Sequence, residues 1–168
     1  MSLSYYQLSV PVFLRGLDIL SKLLDKAVEH CDAQGIEFDE LLQTRLAPDM
    51  YPLLRQIQMV SDASKYGAAR LAGIIPPSFA DNEVTLADVR ERIANTHAFI
   101  SSVTAEQYEA NEGSTVVLKL PTQEMTFTQQ DYLLHFAMPN FYFHLTTAYD
   151  ILRHKGVPIG KMNFLGAI

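Results

Sequence analysis

The sequence predicts an all-α fold: a four-helix bundle with long crossover connections and a small β-hairpin insertion. Three observations predict it. Four long stretches repeat apolar residues at three- and four-residue steps, the signature of amphipathic helices. Capping residues precede these stretches and glycines follow them. A single short region, 114–127, alternates β-branched and polar residues instead, as a hairpin does.

The first helix is expected from Ser4 to Cys31. Phe13, Leu17, Leu20, Leu24, Ala27 and Cys31 make its apolar face, with Arg15, Asp18, Lys22 and Asp25 mostly off it. Pro11 either sits in the first turn or kinks a helix that began earlier. Gly35 stops it. Phe38 to Leu46 reads as a short helix. The second long helix spans about Met50 to Ala72, with Asp49 as N-cap and Gly73 beyond its end. Its stripe is Leu54, Ile57, Ser61, Ser64, Ala68 and Leu71. The small, polar middle of that stripe marks a place for a cavity.

Thr85 caps the third helix, and Asp88 completes a capping box. That helix is expected to reach Glu109, burying Val89, Ile93, Thr96, Ile100 and Val103. Thr115–Leu120 and Met125–Phe127 form the hairpin, joined through Pro121–Glu124. Thr128 and Asp131 cap the fourth helix, which runs to Lys155 with Gly156 and Pro158 beyond. Its inward stripe is Ala137, Phe141, His144, Ala148 and Ile151. Pro139 should kink it, because proline has no N–H for the His135 carbonyl. The apolar tail 157–168 is expected to pack back on the bundle or on a second subunit. Residues 1–168 are read as one domain.

Net charge is −6, and the 13 cations are scattered. Neither a nucleic-acid interface nor an anionic membrane is an expected partner. No run of 18 apolar residues and no signal-like leader is visible, so a cytoplasmic location is expected. Cys31 is the single cysteine. It fits a reducing compartment and reads as a small core residue.

No His-Glu-x-x-His, phosphate loop or nucleophile elbow occurs. The best constellation is Pro139-Asn140-Phe141-Tyr142-Phe143-His144. Asn140 and His144 are four apart, so both project from one helical face. Across the bundle, Gln58, Ser61 and Asp62 offer polar groups. A ligand pocket of Asp62, Gln58, Asn140 and His144 follows. Two alternatives stand beside it: His144 as a hydrogen-bonded core residue, or as a metal ligand. His30 and His154 fall near helix C-termini, where the dipole favours them. His97 and His135 are unpaired in sequence and read as structural. Aromatics on both sides of the fourth helix suggest a second buried face, made by a homodimer partner or by the tail.

The run Pro139-Asn140 through His144, Tyr149 and Arg153 to Gly156, followed by Gly160-Lys161-Met162-Asn163-Phe164-Leu165-Gly166, resembles the C-terminal signature of domain-of-unknown-function family 1993. Arg45-Leu46-Ala47-Pro48-Asp49-Met50 with Gln56-Ile57-Gln58 resembles the start of that family's second helix. The resemblance spans nearly the whole chain. It implies a place in the DinB/YfiT-like superfamily of metalloenzymes, a bundle with long crossovers, and often a dimer. Metal-binding members use one histidine from the second helix and two, four residues apart, from the fourth. Here His144 matches the second of that pair and Asn140 the first. No histidine lies between Asp32 and Thr96. One His and one Asn do not make the three-ligand site zinc prefers. The expectation is therefore a degenerate metal site with no cofactor; if a divalent metal binds, His144 is a ligand. The protein then binds a small molecule or acts as an oligomer. The alternatives are a metal-dependent thiol transferase-like enzyme and a structural or partner-binding dimer.

Overall fold

The computed structural model of the chain describes residues 3–119 and 122–166. Helix α1 spans Tyr5–Gln34. Ser4 accepts from the Gln7 amide while the Gln7 side chain accepts from Ser4, so a capping box starts the helix ahead of Pro11. Pro11 is exposed inside the helix. Gly35 ends it at φ 66°, a left-handed conformation that glycine adopts without strain. Every residue of the anticipated α1 stripe is buried.

Helix α2 is shorter than expected, Phe38–Leu42. Helix α3 spans Leu53–Ala72, and Pro52, not Asp49, is its N-cap, without a side-chain cap. The Leu53 amide instead donates to the Thr44 carbonyl at 2.8 Å. Leu53 takes the core position expected of Leu54, which is only half-buried. Helix α4 spans Leu86–Ser102 behind the Thr85–Asp88 capping box. It stops well short of Glu109. Val103 turns to an extended conformation, and Thr104 opens a new helix, α5, Ala105–Ala110, with its own box to Gln107.

Strands β1, Thr115–Lys119, and β2, Glu124–Thr128, form an antiparallel hairpin with Val117 opposite Thr126. Leu120 and Pro121, expected at its tip, lie outside the described residues, as do Met1, Ser2 and the tail's Ala167 and Ile168. Val116 and Leu118 turn one strand face into the core. The fourth long segment is not one α-helix. Three residues, Gln129–Asp131 (α6), lead into a π-helical segment, Tyr132–Ala137, and then α7, Met138–His154. Pro139 thus sits in the first turn of α7, where a missing N–H is tolerated. The wider π turns precede it, with the Met138 amide reaching back to the Leu133 carbonyl.

Helix α3 packs against α1, α4 and α7, and α1 against α4 and α7. Their apolar faces make one connected core, which also takes in Val116 and Leu118 of the hairpin and Val157 and Ile159 of the tail. The tail's short helix α8, Lys161–Leu165, lies on α1, and Phe164 meets Tyr149 edge-on at 5.5 Å. Of the two destinations expected for the tail, Val157 and Ile159 take the first, the chain's own core, whereas no residue of α8 is fully buried. Among the described residues no helix is long and apolar enough to cross a membrane.

Candidate functional site

The α3–α7 contact holds the polar centre. His144 faces inward on α7 and is 8% exposed. Its Nδ1 lies 2.7 Å from Gln56 Oε1, and Gln56 is 1% exposed on the first turns of α3. Gln56 Nε2 donates to the Tyr51 carbonyl at 3.2 Å. The amide is thereby oriented with its oxygen toward the imidazole, so Nδ1 carries the ring proton and Nε2 keeps a lone pair. Burial, and then the charge of Arg55, push the His144 pKa below its ordinary value. The ring is neutral at pH 7. Asn140, one turn earlier on α7, is half-buried, and Phe143 meets the imidazole edge-on at 5.2 Å.

Gln58 and Asp62 are elsewhere. Gln58 donates to Glu83 at 2.8 Å and accepts from Arg55 at 2.9 Å. Asp62 pairs with Arg92 and with Lys65, each at 3.0 Å. Residues two apart on a helix are about 200° apart around its axis. Gln56 and Gln58 therefore face opposite ways, the first to α7 and the second to the 81–83 loop and α4. Gln58 and Asp62, four apart, share a face. The structure brings neither Gln58 nor Asp62 into hydrogen-bond contact with His144. It brings Gln56, which the sequence reading passed over. A signal for it existed: Gln56 is three residues after Leu53 and four before Val60, both fully buried.

On that second face Arg92, with its side chain 2% exposed, bonds Glu83 at 2.8 Å, Asp81 at 2.9 Å and Asp62 at 3.0 Å. Lys65 is 1% exposed and caps the Phe79 ring at 4.1 Å. Burial would raise the Asp81 pKa, but the hydrogen bonds from Arg55 and Arg92 outweigh it and hold the carboxyl below its ordinary value. Three cations and three carboxylates balance here. The cluster reads as a structural lock between α3, α4 and the loop.

The polar middle of α3 is closed rather than hollow. Ser61 meets Thr96 of α4 at 2.6 Å, and Ser64 donates to the Val60 and Ser61 carbonyls. All three side chains are fully buried. Satisfied hydroxyls let the helices approach closely where a cavity was expected.

Among the described residues no three His, Cys, Asp or Glu side chains gather as a metal set. The residues at the α3–α7 centre do not fit a zinc site. Gln56 and Asn140 are neutral amides, and the Gln56 oxygen already accepts the imidazole proton.

The profile of a family described as a domain of unknown function (DUF1993) matches residues 5–165. Among solved structures, the crystal structure of a DinB family member protein from Shewanella denitrificans is 37% identical, with a TM-score of 0.90. The likeness covers 97% of this chain and 92% of that one. No protein with a curated description matches.

Proposed function

The chain belongs to the domain of unknown function 1993 family, and from that premise we propose that it is a DinB-like four-helix bundle whose metal site has degenerated into a small-molecule site. The likeness to the Shewanella protein, called a DinB family member, supports the superfamily and the bundle. The observation that carries the reading is the Gln56–His144 hydrogen bond at 2.7 Å. It ties α3 to α7 and leaves a neutral imidazole with an unprotonated Nε2. That nitrogen accepts a hydrogen bond from a hydroxyl, amide or thiol, and the Asn140 amide one turn away supplies a donor and an acceptor. The ligand class is therefore a small, uncharged, hydrogen-bonding molecule. Of the residues first assigned to the site, His144 and Asn140 stay in it; Gln58 and Asp62 would brace it from the other face of α3.

The test is metal content by mass spectrometry on untagged protein purified without chelator, wild type beside His144→Ala. It is paired with NMR of the His144 ring during titration with small polyols, amides and thiols. Substoichiometric metal in both proteins and a saturable His144 shift support the proposal. Near-stoichiometric metal lost in His144→Ala overturns it in favour of a metal-dependent thiol transferase-like enzyme. Neither metal nor any shift leaves the structural reading.

A homodimer is part of the proposal. Tyr142 and Phe143 are 43% and 58% exposed on the outer face of α7. Paired aromatics of that kind are typical of the buried centre of an interface. Light scattering should return twice the chain mass, and Phe143→Glu should return the chain mass; a wild-type monomer at micromolar concentration removes the dimer. Cytoplasmic residence belongs to the same reading, supported by the single thiol, which is buried.

A further inference from the structure

A cavity of about 520 Å³ opens where the start of α1, the short helix α5 and the π-helical segment meet. It lies apart from His144, and its volume falls in the range of small-molecule sites. Its walls are aromatic and aliphatic. Tyr5, Tyr6 and Tyr108 contribute rings, and Leu133 and Leu134 come from the π-helical segment. Tyr108 is fixed: its hydroxyl meets Ser9 Oγ at 2.8 Å, and its ring meets Tyr6 edge-on at 5.5 Å. Leu134 stays 49% exposed at the rim.

Among the described residues, the charged side chains that line this cavity have one sign. Glu109 and Glu112 line it, both exposed, and no Lys, Arg or His is among its lining residues. The positive end of α1 also points here, but a helix terminus counts for roughly half a charge. Its first turn is further closed by the Ser4–Gln7 box. Two full carboxylates outweigh it. An aromatic-walled cavity with a negative rim suits an ammonium group on an apolar body. The rings and the leucines bury the body, and the carboxylates pair with the charge.

We propose that this cavity binds a small organic amine in its cationic form, with the ammonium beside Glu109 and Glu112 and the apolar body among Tyr6, Tyr108 and Leu134. It is independent of the reading of His144.

Three probes share one body and differ in charge: phenethylamine, 2-phenylethanol and phenylacetate, each titrated calorimetrically at pH 7 in low salt. The amine should bind about tenfold or more tighter than the alcohol, the carboxylate should not bind, and added salt should weaken the amine alone. Glu109→Gln with Glu112→Gln, both on the surface, should remove the preference for the amine. Leu134→Trp, which fills the rim, should abolish binding by both. Equal affinity for amine and alcohol, preference for the carboxylate, indifference to the Gln substitutions, or no binding by any probe would overturn the proposal.

Discussion

His144 on α7 gives its Nδ1 proton to Gln56 on α3 across 2.7 Å, and the Gln56 amide is held for that contact by the Tyr51 carbonyl. The bond favours one tautomer, and burial with the Arg55 charge pushes the ring toward its neutral form. Its first consequence is a pH dependence.

The folded pKa of His144 is depressed below its unfolded value of about 6.5. Between the two pKa values the unfolded chain binds more protons, so stability rises with pH. The cost of holding the ring neutral is absent well above pH 6.5 and grows as pH falls toward the folded pKa. Tm measured from pH 8 to 5 should fall more steeply for the wild type than for His144→Gln, which lacks the imidazole at this position and keeps every other titrating group. Parallel curves would show that His144 keeps its ordinary pKa.

Arg92 should be the costliest side chain to remove from the polar cluster. Its guanidinium is almost wholly buried and neutralises Glu83, itself 8% exposed in its side chain. Arg92→Met leaves that carboxylate buried without its cation, held only by the Gln58 amide. A loss of about 3 kcal/mol in urea unfolding is expected. The share from Asp81 is small, because its side chain is 41% exposed and water screens the pair. Glu83→Gln, which keeps a hydrogen-bonding partner for Gln58 and Arg92, should cost clearly less. Equal losses would mean the charges do not matter.

The contact between Ser61 and Thr96 predicts a non-additive pair. Thr96→Val removes the partner of the buried Ser61 hydroxyl and should cost about 1 to 3 kcal/mol. Adding Ser61→Ala removes the stranded group as well. The double variant should recover part of the loss, a coupling that chemical denaturation of all four proteins in the cycle would measure. Simple additivity would show that the 2.6 Å contact carries no energy.

The same contact shows what the sequence carried and what it hid. Periodicity placed Ser61, Ser64 and Thr96 on buried faces, and they are buried. It does not say whether small polar side chains surround a void or close one, because that depends on where the facing helix puts its own hydroxyl. The histidine was legible by the same logic: the stripe Ala137, Phe141, His144, Ala148, Ile151 is buried throughout. Its partner was misplaced by two residues, from Gln56 to Gln58, and two residues turn a helix most of the way to its far side. The break at Val103 was readable, since Thr104 and Gln107 have capping-box spacing. The apolar stripe from Val89 reaches Val103 itself, so periodicity gives no sign of the break there. The π-helical segment had only Pro139 as its sign. Proline announces that an α-helical bond is missing, not how the preceding turns absorb the loss.

Two core aromatic rings pack directly against glycines of neighbouring helices. Phe13 of α1 and Phe141 of α7 meet edge-on at 5.1 Å, and each ring lies over a glycine of a neighbouring helix. A Cβ built on Gly67 of α3 would stand 2.8 Å from the Phe13 ring, and one on Gly16 of α1 would press on Phe141. Neither glycine has a positive φ. Helix propensity alone would therefore favour Gly67→Ala by about 1 kcal/mol. Overpacking a ring that is 0% exposed costs about 1 to 3 kcal/mol, because neither Phe13 nor Phe141 has room to retreat. The second effect should win, and Gly67→Ala should lower Tm. Phe13→Leu destabilises the wild type by opening space, yet that space is what the new methyl needs. Combined with Gly67→Ala, it should cost less than it does alone. A stabilising Gly67→Ala would mean that the Phe13 ring moves freely and that the α1–α3 approach is looser than these distances indicate.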